Sequence, residues 1–264
     1  MTLAHAALTL LLLSAAAPAA IFPHGDSVPS ERGSAISLRK RIHVNTLITP
    51  PDTMELEYGG SFSWDGSFTL PMTLHYTPEG RYVWWGRTEF SVGFDSLAHD
   101  SAAQFGDRVN LAATCVVHDG DKLDIAVAPQ TTLLLRGDSG ARIGGTGIAR
   151  YDAGHSSAGV TFTWTAATHS SPTNPAGVFD IGVGYGYQLS NNGPLSHLTP
   201  HVNVVYEKAT GSTRQISLFE GIEYQVTNPF SIDFSFQHIA LWGGQTSTQF
   251  VAGITLYSPK LHHH

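Results

Sequence analysis

Residues able to do covalent chemistry are few in this chain and follow no regular spacing. His75, His118, His155, His169, His197, His201 and His238 recur at no fixed interval, and most fall in turns or at strand ends. A nucleophilic mechanism needs a base within hydrogen-bond reach of the nucleophile and a third group that orients the base. The string Gly137-Asp138-Ser139-Gly140 has the composition found around a serine nucleophile, but no fitting His and Asp precede it. Gly, Asp and Ser are also ordinary turn residues, so a hairpin is the simpler reading. No enzyme activity and no cofactor are expected. The single Cys115 excludes an intramolecular disulfide framework and a cysteine-rich zinc site. His262, His263 and His264 read as tag remnants or a native tail, not as a physiological metal site.

Charged and amide residues are more informative, because they alternate with apolar ones. In 178–189, Phe179, Ile181, Val183, Tyr185, Tyr187 and Leu189 take one face, while Asp180, Gly182, Gly184, Gly186 and Gln188 take the other. A period of two is a β-strand. A soluble sheet would solvate its second face with Lys, Glu, Arg and Thr. Glycines, one acid and one amide instead match the inner face of a transmembrane barrel strand, with the apolar face toward lipid.

The pattern recurs along the chain. Strands are expected at 54–64, 67–76, 81–94, 109–117, 123–134, 141–151, 159–167, 178–189, 200–206, 216–224, 232–240 and 248–257. Pro71 implies a bulge within the second. Apolar parity slips at Phe219-Glu220, which requires a bulge or places Glu220 near the headgroups. The longest connection is expected at 95–107, and Asp65-Gly66 is a hairpin turn. Aromatic residues, among them Tyr58, Trp64, Trp84, Tyr151, Trp164, Tyr206, Trp242 and Tyr257, gather toward strand ends as interfacial girdles do. An even count returns both chain ends to one side, as in bacterial outer-membrane barrels. The competing soluble folds are a large β-sandwich and a β-solenoid. Strands this long argue against the first, and the lack of an internal repeat argues against the second.

Composition agrees with the barrel: 13% of the chain is charged and 27 residues are glycine. The formal net charge of -7 argues against a nucleic-acid partner. Residues 1–20 carry an apolar run centred on Leu10 to Leu13 and a small-residue site at Ala17-Pro18-Ala19, a secretory signal pattern without a basic n-region. The expected organisation is a signal peptide at 1–20, a periplasmic lead-in at 21–50 with Arg39-Lys40-Arg41, an all-β single antiparallel barrel of about twelve strands at 51–258, and a tail at 259–264. The partners are then outer-membrane lipid and a small-molecule solute.

The strings FDIGVGYGYQLSNNGPLSHLTPHVNVVYE, from Phe179, and SIDFSFQHIALWGGQTSTQFVAGITL, from Ser231, resemble the closing hairpins of bacterial outer-membrane proteins of the MetA-pathway phenol degradation family. The resemblance implies a barrel of roughly twelve strands that passes small, aromatic compounds. It carries over no catalytic or binding motif. One departure is the end, where such barrels finish on an aromatic residue and here Tyr257 is followed by Ser-Pro-Lys-Leu-His-His-His.

Strand parity sends a set of polar residues inward, because a charge facing lipid costs up to about 2–4 kcal/mol at the midplane. The set is Glu55, Glu57, His75, Arg87, Glu89, Asp124, Gln130, Arg142, Arg150, Asp180, Gly182, Gly184, Gly186, Gln188, His201, Asn203, Glu207, Glu223, Asp233 and Gln237. Two arrangements fit: a polar network that fills the barrel, or a water-filled path whose charges bias permeation. Inward acids outnumber inward arginines, favouring cations or neutral solutes over anions. No apolar pocket for a phenol emerges from the parity. The expected function is passive passage of small solutes, and the alternative is a structural or adhesive barrel acting through its outer loops.

Overall fold

The computed structural model describes residues 48–63, 68–78, 87–99, 102–135, 140–171, 174–189, 193–211, 214–227, 229–242, 244 and 246–261. The expected signal peptide, Trp64, the Asp65-Gly66 turn, Trp84, Ser139 and His262 to His264 lie outside the described residues.

The described residues form thirteen strand segments in one antiparallel sheet: β1 (Thr53–Ser63), β2 (Phe68–Thr69), β3 (Met72–Thr77), β4 (Thr88–His99), β5 (Ala102–Asp119), β6 (Leu123–Leu134), β7 (Gly140–Ala153), β8 (Ser156–Ala167), β9 (Gly177–Tyr187), β10 (Leu198–Ala209), β11 (Arg214–Thr227), β12 (Phe230–Leu241) and β13 (Thr246–Tyr257). Both β2 and β3 pair with β1 on one side and β4 on the other, so they are halves of one barrel strand. The interruption falls at Leu70-Pro71, where proline has no N–H to give the ladder, while the Pro71 carbonyl accepts the Gly59 N–H at 3.0 Å. Twelve strands therefore close a barrel through the β1–β13 ladder, which runs from Glu55 opposite Tyr257 to Ser63 opposite Gln249. The end holding Thr53 and Tyr257 is called the near rim below, and the end holding Ser63 and Leu241 the far rim.

Polarity is inverted relative to a soluble domain. Phe90, Ile143, Phe162, Trp164, Val183, Phe234 and Phe236 are exposed on the outside, while Ser, Thr, Asn, Gln, Glu and Arg make up most of the buried residues. The one apolar cluster among the described buried residues is small: Ala126 and Ile148, packed with Val116. Backbone ladders hold such a wall together, since every interior N–H and C=O finds a partner in the next strand.

Two expectations about the elements are corrected. The 95–107 connection is largely strand: β4 runs on to His99 and β5 starts at Ala102, with a register shift between Asp95 and Leu97. In β11 no bulge occurs at Phe219-Glu220. The ladders to β10 and β12 pass through both residues without a break, and the shift falls between Gln225 and Thr227.

Candidate functional site: the barrel interior

Register fixes which residues share the inner face. On β1, Glu55 and Glu57 are two apart, and across the broken strand Glu55 faces His75. Both carboxylates and the imidazole are buried, as is Glu89 on β4. His75 Nδ1 lies 3.0 Å from Glu89 Oε1 and its Nε2 lies 3.3 Å from Glu57 Oε2. Glu89 is held from its other oxygen, since the Thr49 N–H donates to Oε2 at 2.7 Å. Thr49 and Ile48 are themselves buried, and Thr49 Oγ1 shares a 2.7 Å hydrogen bond with Thr77 Oγ1. Ile48 and Thr49 thus pack within the near rim. Glu223 and Asp233 stand directly opposite each other on β11 and β12. Asp233 leans over Gly253 of β13, where an added Cβ would lie 2.5 Å from Oδ2.

Arg142 and Arg150 are tied to neighbouring protein groups. Arg142 is buried near the far rim, donating to Asn174 Oδ1 at 2.9 Å, to the Pro175 carbonyl at 2.8 Å and to Thr165 Oγ1 at 2.8 Å. It fastens the 168–176 connection, whose Asn174 is buried and donates to the His169 carbonyl at 2.6 Å. Arg150 grips Asp152 through Nε at 3.1 Å and Nη2 at 2.6 Å. Arg87 was expected inside, but it precedes β4 as an exposed residue in an ion pair with the exposed Asp119. An exposed pair of this kind contributes little. Asp124, half-buried, accepts the Gly120 N–H at 3.2 Å and so closes the β5–β6 turn. Gln188 follows β9 and donates to the Ser196 carbonyl at 2.9 Å, bracing the β9–β10 connection.

The glycine strip of β9 faces β10. Gly186, Gly184 and Gly182 stand opposite His201, Asn203 and Val205, and the three glycines, His201 and Asn203 are all buried. Gly221 flanks His201 from the other side, and a Cβ there would sit 2.7 Å from Nε2. The bare backbone of β9 thus lies beside the imidazole of His201 and the amide of Asn203 on the adjacent strand.

Burial divides the inner face. Along β11, β12, β13, β1, β3 and β4 most inner residues are buried, including Ser217, Ser235, Gln237, Gln249, Thr255, Glu57 and Glu89. Along β5 to β10, Asn110, Gln130, Thr132, Thr146, Thr163, Asp180 and Glu207 are partly exposed, between buried inner residues such as Thr114, Thr161, His201 and Asn203, so exposed polar inner surface is found on this side. Phe219, Ile239 and Val251 are buried on the inner face of β11 to β13, each opposite a serine or glutamine of a neighbouring strand.

No family model and no curated protein matches the chain. Solved structures do. The COG4313 outer membrane channel from Pseudomonas putida F1 aligns with a TM-score of 0.57 at 9% identity, covering 80% of this chain and 97% of that one. The KdgM porin aligns at 0.53 and 10% identity over 80% and 99% of the two chains. The NanC porin aligns at 0.53 and 10% identity over 77% and 98%. At these identities the likeness is one of fold: a closed antiparallel β-barrel.

Proposed function

We propose that the chain is an outer-membrane channel for passive passage of small solutes, with cations and neutral molecules favoured over anions. The observation that carries this reading is the partly exposed polar lining along β5 to β10, enclosed by a wall whose outer side chains are apolar. Asp180 and Glu207 stand opposite each other on that lining, so two acidic side chains meet there. Rings of acidic side chains select cations electrostatically. The solved barrels of like fold include two porins and an outer membrane channel, which supports the same reading.

An adhesive or structural barrel would present long outer loops. Here β4 and β5 are joined through 100–101 and β10 and β11 through 210–213, and the 168–176 connection is folded onto buried Arg142. The test is conductance of purified protein in a planar bilayer under a KCl gradient. Discrete steps with a cation-selective reversal potential are expected, and Asp180→Asn with Glu207→Gln moves that potential toward zero. A folded barrel that stays electrically silent overturns the channel.

A further inference from the structure

We propose that Glu55, Glu57 and His75 form a binding site for one first-row divalent transition-metal ion of the zinc type, with Glu89 as the outer carboxylate that orients the imidazole. The proposal is independent of the channel reading. One ligand atom from each of Glu55, Glu57 and His75 lies within 4.8 Å of the others, and all three residues are buried. Their placement is a product of register: β1 projects two carboxylates from one face, and the half-strand β3 sets His75 opposite Glu55.

The two sides of the imidazole differ. On the Nδ1 side, 3.0 Å to Glu89 Oε1 is an ordinary hydrogen bond, and the Thr49 N–H fixes Glu89 from behind. An imidazole that donates one ring N–H to a carboxylate presents the other nitrogen as a lone pair, the usual support of a metal-bound histidine. On the Nε2 side the gap to Glu57 Oε2 is 3.3 Å. A charge-assisted N–H to carboxylate contact closes to about 2.7–2.9 Å. A tetrahedral ion held at about 2.0–2.1 Å from nitrogen and about 2.0–2.2 Å from oxygen separates those two ligands by about 3.3–3.5 Å. The gap thus equals the edge of a coordination tetrahedron, and an ion entering there would replace the Nε2–Glu57 hydrogen bond. One imidazole with two carboxylates suits zinc and its neighbours, whereas calcium and magnesium prefer all-oxygen shells with more ligands. A bound ion would join β1 to β3 directly and to β4 through Glu89.

The test is calorimetric titration of Zn²⁺ into the full-length barrel, folded in detergent micelles and stripped with chelator. His262 to His264 are a second place for zinc to bind, so the readout is the difference between proteins that all keep that tail. Wild type is expected to bind one ion more than Glu57→Gln, Glu55→Gln or His75→Gln. Glu89→Gln should keep the site with affinity lowered about 10–100-fold. Equal stoichiometry in wild type and in the folded ligand variants overturns the proposal, with folding checked by heat-modifiable gel mobility. Should the variants fail to fold, Co²⁺ added to wild type decides. Intense visible absorption of a tetrahedral ion supports the site, and only the weak absorption of octahedral cobalt rejects it.

Discussion

Glu220 is the residue whose position runs most against its chemistry. Register places it opposite Val202 and Phe236, on the outward parity of β11 and near the middle of that strand, yet it is only 5% exposed and its Oε2 has no hydrogen-bond partner. His238, on the outward parity of β12, bonds Thr248 through Nδ1 at 3.1 Å and leaves a buried Nε2 without a partner. A buried polar atom left unsatisfied costs about 1–3 kcal/mol, and an acid on the lipid face adds to that. Glu220→Leu is therefore expected to stabilise the barrel by about 1–3 kcal/mol, measured by urea unfolding in lipid vesicles; a loss of stability would show that the carboxylate has a favourable role. The sequence signalled this spot as a parity slip. It did not show that the ladder runs straight through, which turns Phe219 inward and Glu220 outward, because alternation reports a face only while strand and register are regular.

Strand by strand, much of the architecture is legible in the sequence. The segment 123–134 was read with the bounds it has, because Leu123, Ile125, Val127 and Leu133 alternate cleanly with polar or small residues. The 95–107 stretch reads as a connection because Asp95, Ser96, Asp100, Ser101, Gln104 and Asp107 carry little apolar alternation, and a strand that rises past the membrane has no lipid to demand it. The Glu55, Glu57, His75 grouping was legible only as separate inward residues. Their proximity depends on how the half-strand beyond Pro71 registers with β1, which no periodicity encodes. Glycine-rich β7 offers a test at this scale. A Cβ on Gly144 would collide with the Trp164 carbonyl and lie 2.7 Å from Thr165 Cα, whereas a Cβ on Gly147 meets nothing within 4 Å. Gly144→Ala is expected to lower stability by several kcal/mol or to abolish folding, and Gly147→Ala to lie within about 0.5 kcal/mol of wild type. Equal stabilities in the same unfolding assay would mean that β7 and β8 approach less closely than described.

For the molecule as a whole the decisive contact is the seam. Tyr58 faces Ile254 across it. Opposed residues of an antiparallel pair have Cα atoms about 4.5–5.5 Å apart, within disulfide reach. In a Cys115→Ser background, Tyr58→Cys with Ile254→Cys is expected to cross-link on mild oxidation and to change the mobility of the heat-denatured chain. No cross-link in folded protein would mean that the sheet is open. Additional bonds clasp the same place: Ser258 Oγ accepts the Met54 N–H at 2.8 Å, and the Leu261 N–H donates to the Asp52 carbonyl at 2.9 Å.

That seam also sets an order of events in time. Among the described residues every other strand pairing joins neighbours in sequence, so eleven of the twelve ladders are local and need only hairpin closure. Only the clasp of β13 on β1 must bring together groups 204 positions apart. Loop-closure entropy grows as (3/2)RT ln n, so this step costs about 2 kcal/mol more than closing a hairpin of some 15 residues. Until it is taken, the chain is a curled sheet with two bare edges, each a template for any passing strand. Its most hazardous state on the way to the native barrel is therefore the one missing a single ladder.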